Sequence, residues 1–390
     1  MHKKTPPYIW KLRKAKFTKD KGKVFSCFAC GGGSTMGYKL AGFDVLGCNE
    51  IDPRMAKAYT TNHHPKYCFI EPIQTFKKRR DLPKELYSLD ILDGSPPCSS
   101  FSMAGVREKK WGVKHKFREG QQEQVLDTLF FDFIDLAKKL RPKVVIAENV
   151  TGMLAGRARE YVHKVVRDFN KCGYHVRYFV LDASTVGVPQ KRERVFFYAV
   201  RKDLWPSNKL PRLKIKTFGK PVCFGEFSRD TKDDHYIRHG VLYSYWKYRK
   251  PSDNGIAPIA KRLHNRAYGF GNSFLHDNKV PGTRTASGTS ILYRAFREPN
   301  KRELCCMGTF PQDYDFAGSK PSYITGMSVP PFMMRAVAIA IRDQILPKLI
   351  DPVSAGASMY NCTNAIRSTI WVRRDICWAR KKCKLRTIHK

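Results

Sequence analysis

Cys98 is the residue in this chain best placed for covalent chemistry. It closes the run Asp93-Gly94-Ser95-Pro96-Pro97-Cys98, which follows a short apolar stretch, Leu89 to Leu92, that reads as a strand. Two prolines stiffen the turn, so the thiol sits on a rigid corner at the carboxyl end of a strand, where open α/β sheets bind their ligands. An unperturbed thiol ionises near pH 8.5, and Arg107, Lys109 and Lys110 follow closely enough to favour the thiolate. Buried, inert cysteines are common, and that reading competes with the first. A second reactive group follows the apolar run Val144 to Ala147, which delivers Glu148-Asn149-Val150 to the same kind of strand end. A carboxylic acid opposite a thiolate suits addition to a ring that resists attack until one of its nitrogens is protonated or hydrogen-bonded.

Other stretches suit binding rather than bond-making. Phe25 to Gly37 reads as strand, Gly31-Gly32-Gly33, then helix, and glycine lets the backbone turn tightly while leaving room for a ligand. Glu50 lies about 20 residues further on, after the strand Val45 to Asn49, where an acid grips the ribose hydroxyls of a nucleoside cofactor. Gln190-Lys191-Arg192-Glu193-Arg194 precedes another strand, and alternation turns Arg192 and Arg194 to one side, ready to orient a base, a carboxylate or a phosphate. A solvated basic approach to the strand is the alternative. Cys27 and Cys30 have the spacing of a zinc or redox pair, but no second pair matches it. Small apolar side chains beneath a turn are the preferred reading, and no metal is expected.

These residues need a frame, and the chain supplies short β-rich stretches alternating with helical ones from Val24 to Val200. Among the helical stretches are Asp127 to Leu140 and Glu160 to Cys172. The alternation predicts a doubly wound α/β domain, a mostly parallel sheet with helices on both faces. Residues 1–22 read as a solvated basic arm, 23–202 as the catalytic and cofactor-binding domain, and 203–293 as a smaller, irregular β-rich domain. Residues 294–348 read as a return segment completing the first domain, and 349–390 as a basic tail. Within 203–293, Tyr243, Tyr245, Trp246 and Tyr248 interleave with Lys247, Arg249 and Lys250, a mixture suited to reading nucleic acid and equally ordinary on a basic surface. Phe332 to Leu346 reads as an amphipathic helix stopped by Pro347.

Composition names the partner class. The chain has 72 Lys and Arg against 34 Asp and Glu, a formal charge of +38, and so suits a polyanion. Nucleic acid and an anionic membrane both satisfy that charge. No apolar run is read as approaching the roughly 18 residues of a spanning helix, and no signal peptide is read at the start, so nucleic acid leads and no membrane is expected. Twelve cysteines scattered among charged segments suit a reducing cytoplasm better than a disulfide framework.

Taken in order, these blocks resemble the DNA cytosine-5 methyltransferase family of bacteria and phages, over roughly residues 23 to 345. Phe28 to Gly33 looks like its cofactor loop, Glu50 its ribose-binding acid, Pro96-Pro97-Cys98 with Phe101-Ser102 its nucleophile motif, and Glu148-Asn149-Val150 its acid motif. Gln190, Arg192 and Arg194 match its arginine motif. Arg302-Glu303-Leu304 with Phe310-Pro311 is similar to the block after the target-recognition domain, and Gly326 with Ser328-Val329-Pro330-Pro331 to the last block. The resemblance implies a Rossmann-like fold that depends on S-adenosylmethionine, with 203–293 as the target-recognition domain. It implies methyl transfer to carbon 5 of a cytosine flipped out of duplex DNA. Cys98 would add to carbon 6, Glu148 would engage N3 and the exocyclic amine, and Arg194 with Arg192 would hold the base and support Glu148. Cofactor contacts are implied for Phe28, Ala29, Gly31, Gly32, Gly33, Glu50, Ile51, Ile73, Pro97, Leu129, Ser328 and Val329. A monomer on double-stranded DNA is implied, without a metal, in the cytoplasm of a bacterial or phage-infected cell, with a restriction endonuclease as candidate partner. Cys30, Pro72, Ser99 and Met327 depart from the family pattern, with Glu71 beside Pro72 as a substitute for the acid expected against adenine.

Three other readings stand beside this one, among them a zinc-dependent regulator built on Cys27 and Cys30, which metal analysis would test. A related branch uses the same fold on transfer RNA, against which the large insert between Lys202 and Tyr293 argues. An inactive DNA-binding protein needs only the charge, against which intact Cys98 and Glu148 argue.

Overall fold

The computed structural model describes residues 6–97, 114–115, 124–125, 128–156, 158–217, 219–231, 239–266, 268–269, 271–285 and 288–350. The chain opens with β/α units: β1 (Lys23–Cys27), α1 (Gly33–Leu40), β2 (Asp44–Asn49), α2 (Pro53–His63), β3 (Tyr67–Phe69), α3 (Ile73–Phe76) and β4 (Ile91–Gly94). An antiparallel ribbon of β5 (Lys114–His115) and β6 (Gln124–Val125) comes next. Then follow α4 (Leu129–Leu140), β7 (Val144–Val150), α5 (Ala158–Lys171), β8 (Tyr174–Asp182) and β9 (Glu193–Arg201). Seven of these strands form one sheet in the order β3-β2-β1-β4-β7-β9-β8. All its pairings are parallel except those of β9, which runs against both neighbours.

Local chemistry explains the elements. Asp52 caps α2 by accepting the Arg54 N–H at 2.9 Å, Pro53 occupies the first turn, and His64 closes the helix in the left-handed region. α4 buries Leu129, Phe130, Phe133, Ile134, Ala137 and Leu140, which the three-and-four spacing puts on one stripe. That stripe packs on Phe25, Leu92, Val145, Ala147 and Phe197 of the sheet. Each large side chain so buried contributes about 1.5–3 kcal/mol. The alternate positions Val24, Ile91, Val144 and Ile146 are buried as fully, so the opposite face is covered as well. The strand order reverses between β1 and β4, and the carboxyl ends of both strands open on that crevice.

The remaining elements are α6 (Val241–Trp246), α7 (Ile256–His264), β10 (Ser273–Leu275), β11 (Ser290–Leu292), α8 (Lys301–Gly308), α9 (Pro321–Met327) and α10 (Pro331–Gln344). Among the described residues of 203–293, regular structure is two short α-helices, a 3-10 turn at Phe224–Glu226 and two three-residue parallel strands, so the region is irregular but holds little strand. The aromatic run supplies the reason. Tyr243 and Trp246, three apart, stack at 5.8 Å as neighbours on one helix face, and Tyr245 joins a small core with Ile256, Ile259, Ala260, Phe274 and Ile291.

Two expectations change. Residues 6–22 are not simply a solvated arm. Tyr8 is buried edge-on to Phe227, the Trp10 Nε1–H donates to Thr309 O at 2.9 Å, and the Leu12 N–H to Asp313 at 2.6 Å. Aromatics within the basic segment find apolar surface to cover, and the lysines stay outside. The stretch Pro321–Lys348 is also long and apolar enough to cross a membrane by length and composition, contrary to the reading of the sequence, although 72% of its apolar window is buried inside the protein. Ser328 and Pro330 break it into α9 and α10, whose apolar residues pack inward.

Candidate active site

Four strand ends meet at the crevice. β1 leads into Phe28 and Cys30, both at positive φ (54° and 49°), and then to Gly32 at φ 81°, which caps α1. A methyl group added at Gly33 would fall 2.2 Å from the carbonyl oxygen of Val329, so the approach of the return segment demands glycine there. The Tyr314 hydroxyl donates to Gly31 O at 2.5 Å and ties the loop to the same segment. Ser328 and Val329 are buried against this loop, Ala29 packs with Cys48 and Tyr59, and the Phe28 ring meets Phe133 edge-on at 6.3 Å. Ile73 and Leu129 are buried in the main core beside this edge, and Ile51 and Pro97 are half-buried.

Glu50 leaves β2 almost fully buried. Its Oε2 accepts the Cys30 N–H at 2.7 Å and its Oε1 the Asp52 N–H at 2.9 Å, while burial raises its carboxyl above the ordinary range. A carboxylate has about four acceptor sites, so capacity is left over. Cys30, at the first glycine of the expected loop, points its sulfur at the Met55 sulfur, 3.6 Å away, and burial followed by the charge of Glu50 pushes its thiol up to about 12. It behaves as a small apolar side chain. Cys27 is likewise buried, and among the described residues no three His, Cys, Asp or Glu side chains converge on a metal position. Glu71, the substitute acid, pairs with Arg79 at 3.1 Å, while Met327 is partly exposed.

Cys98, Ser99, Phe101, Ser102, Arg107, Lys109 and Lys110 lie outside the described residues. The loop that leads to Cys98 is described as far as Pro97, and Asn149 Nδ2 donates to Pro96 O at 3.1 Å. β4 and β7 are parallel with Gly94 opposite Ala147, so this loop departs beside Glu148. Arg194 Nε lies 2.9 Å from Glu148 Oε1, and the two side chains are 13% and 9% exposed. Arg192 has a different set of partners. Its guanidinium is buried and donates to the carbonyls of Arg284 at 3.0 Å, Gly326 at 3.1 Å and Ser328 at 3.3 Å, and burial brings it down to about 9. It therefore fastens both Arg284 of the 203–293 region and the return segment to the sheet beside the crevice, while Arg194 faces the acid.

Three contributors carried no role in the sequence reading. Asn149 sat within a motif, yet a polar residue ending a fully buried strand needs a partner, and that was the available signal. Asp93 accepts from Ser26 Oγ at 2.7 Å and Tyr38 OH at 3.1 Å, joining β4 to β1 and α1 beneath the crevice. Burial pushes its carboxyl up to about 7 against the pull of these two donors. Tyr314 had no local signal, because its partner is remote in sequence.

The family model described as C-5 cytosine-specific DNA methylase matches residues 22–343. The type II methyltransferase M.NgoPII of Neisseria gonorrhoeae is 37% identical over 182 residues, covering 47% of this chain and 49% of that protein. The type II methyltransferase M.FnuDI of Fusobacterium nucleatum is 36% identical, covering 48% and 49%. The chain thus spans about half the length of each of these relatives. The type II methyltransferase M.AplI of Arthrospira platensis is 28% identical over 334 residues, covering 82% and 85%. Among solved structures, a DNMT2 variant of Spodoptera frugiperda superposes with a TM-score of 0.57 at 15% identity, covering 82% of this chain and 99% of that one. At that identity the likeness is one of fold.

Proposed function

This chain belongs to the C-5 cytosine-specific DNA methylase family, and from that premise we propose that it transfers a methyl group from S-adenosylmethionine to carbon 5 of cytosine in duplex DNA. The observation that carries the reading is the buried Glu148–Arg194 pair at 2.9 Å, beside the loop that Asn149 holds at Pro96. An acid fixed by a guanidinium next to the approach to Cys98 suits a pyrimidine ring attacked by sulfur. Cys98 thiolate adds to carbon 6, while Glu148 accepts from the exocyclic amine and, in its acid form, donates to N3. Negative charge gathers at carbon 5, which takes the methyl group. Loss of the carbon 5 proton to solvent then re-forms the ring double bond and expels Cys98. The target base leaves the stack for this, at a cost of about a few kcal/mol that basic contacts must offset.

The residues present fit the methyl donor. Glu50 has acceptor capacity left over after binding Cys30 and Asp52, and the vicinal hydroxyls of a ribose supply two donors. Phe28, Ala29, Ser328 and Val329 would enclose the nucleoside end, with the glycine loop beneath it. When bound, S-adenosylmethionine supplies an electrophilic methyl group. Residues 203–293 are assigned to reading the DNA sequence, in line with the charge of +38. On this reading the chain works in the cytoplasm of a bacterial cell, its own or one a phage has infected, alongside an endonuclease of the same specificity.

The test is incubation with S-adenosylmethionine carrying a labelled methyl group, in separate reactions with unmethylated duplex DNA and transfer RNA. Label at a short cytosine-containing sequence of the duplex, absent with Cys98→Ala, is the expected result. Label on transfer RNA alone would transfer the assignment to the RNA branch, and label on neither would leave an inactive binder.

A further inference from the structure

β2 and β3 bring two cysteines side by side beneath the edge that carries Glu50. Cys48 and Cys68 are register partners across the parallel pair, and their sulfurs lie 3.7 Å apart. Neighbouring strands stand about 4.8 Å apart, within the roughly 4.4–6.8 Å between Cα atoms that a disulfide spans. Cys48 is fully buried against Ala29 and Tyr59, while Cys68 packs on the same cluster and remains partly exposed. Of the two residues, Cys68 is therefore the one a reagent in solvent can approach, and Cys48 is reached through its neighbour. The Cys48 thiol, hydrogen-bonded to the Cys68 sulfur, eases ionisation of Cys68 and is itself held well above the ordinary thiol value.

We propose that Cys48 and Cys68 form a reversible disulfide by exchange with a low-molecular-weight disulfide, and that this modification weakens the nucleoside pocket at Glu50. The second half rests on the function proposed above. Cys68 thiolate attacks one sulfur of the small disulfide, forming a mixed disulfide and expelling one thiolate. That thiolate takes the proton of Cys48, whose sulfur then attacks Cys68 Sγ and expels the second, which takes up the proton Cys68 had released. Two protein thiols are oxidised by two electrons, and the small disulfide is reduced to two thiols.

Drawing the sulfurs from 3.7 Å to the ~2.0 Å of a bond turns both side chains, and because the usual disulfide spacing of about 5.5–6 Å between Cα atoms exceeds the strand separation, the bond also strains the backbone. β2 is held between β1 and β3, whereas β3 is a three-residue strand at the edge of the sheet, so β3 moves. Phe69 and Glu71 move with it. Their carbonyls accept from Asn49 Nδ2 at 3.2 and 2.8 Å, and Phe69 O also accepts the Glu50 N–H at 3.0 Å. The displacement therefore reaches the backbone that aims the Glu50 carboxylate.

The full chain is incubated with oxidised glutathione, alkylated in acid, digested with trypsin without reduction and examined by mass spectrometry. Cys48 lies in the tryptic peptide 40–54 and Cys68 in 67–77, each with one cysteine. The expected product is these two peptides joined, lighter than their sum by two hydrogens and separated by dithiothreitol. Cys68→Ser abolishes it, and Cys48→Ser arrests the reaction with glutathione on Cys68. A glutathione adduct on Cys68 of the unaltered chain with Cys48 still alkylated, or no reaction at either, overturns the proposal. Equilibrium binding of S-adenosylmethionine is then expected to be at least about tenfold weaker for the oxidised chain, restored by reduction, and insensitive to oxidant in Cys68→Ser. Equal affinity in both forms overturns control of the pocket. Failure of the reduced chain to bind overturns that control together with the function proposed above, while the cross-link is judged by mass alone.

Discussion

Nε of Arg194 stands 2.9 Å from Oε1 of Glu148, and both side chains are nearly withdrawn from water. Burial depresses the Arg194 guanidinium, and the carboxylate supports its charge in return. Removing one partner of such a pair strands the other, so the contact fixes the acid's position more than it stabilises the fold. Arg194→Ala is expected to lower single-turnover methylation about a hundredfold, with Arg194→Lys recovering part of the loss because a point charge replaces a planar fork. An unaltered rate in Arg194→Ala would take Arg194 out of the chemistry.

Asp93 ties pH to stability. Its ordinary value is 3.8 and its folded value about 7, so between those pH values the folded chain holds a proton that the unfolded chain has lost. Stability must therefore fall as pH rises through that window. The stability difference between the unaltered chain and Asp93→Asn, from urea titrations, is expected to decline by roughly 2 to 3 kcal/mol from pH 5 to pH 8. A difference that does not vary with pH would show that Asp93 ionises normally.

Glu50→Ala is expected to weaken S-adenosylmethionine binding by about a hundredfold or more, since two hydrogen bonds to a charged group contribute about 1.5–3 kcal/mol each. Calorimetry reads this directly. Because burial raises the Glu50 carboxyl, affinity of the unaltered chain should also decline on acidification sooner than an exposed glutamate would cause. Binding by Glu50→Ala equal to that of the unaltered chain would remove the acid from the pocket.

Glu303 anchors the return segment to 203–293. It is buried, takes both Nη atoms of Arg297 at 2.8 and 2.9 Å and the Ser228 hydroxyl at 2.5 Å, and shares a capping box with Asn300. Glu303→Ala leaves Arg297 without this counter-charge and is expected to cost about 3–5 kcal/mol, seen as a lower urea midpoint. A midpoint within error of the unaltered chain would mean that Asp230 and water compensate.

DNA binding is expected to fall steeply with salt, log K against log salt running with a slope of about −5 or steeper, as several phosphate contacts imply. A flat response would contradict a clamp on duplex DNA.

The sequence showed the α/β rhythm clearly because both periods are written into apolar residues: the stripe of α4 from Leu129 to Leu140 and the buried run from Val144. It singled out Glu148, Glu50 and the two arginines as candidates because polar residues at strand ends stand out against such runs. It did not show β3, whose Tyr-Cys-Phe is too short to carry a period, or the helical form of Val241–Trp246, where aromatics suit either period. Nor could it separate Arg192 from Arg194. Two positions apart they share a side of the strand, and only the carbonyls of Arg284, Gly326 and Ser328, up to 136 residues away, divert one of them.

The contact between Gly33 and Val329 sets an order on the birth of the protein. As the chain leaves the ribosome, β1 and α1 are made early, but the segment that closes over them arrives nearly 300 residues later. The sheet can form on the way, since its strands are all made by Arg201. The edge that closes over the glycine loop cannot, because Tyr314, Val329 and α10 are still unmade. Loss of the chain beyond about residue 320 should therefore give a folded sheet without the segment that closes over the glycine loop, and a nascent chain completes that edge only after Val329 has been made.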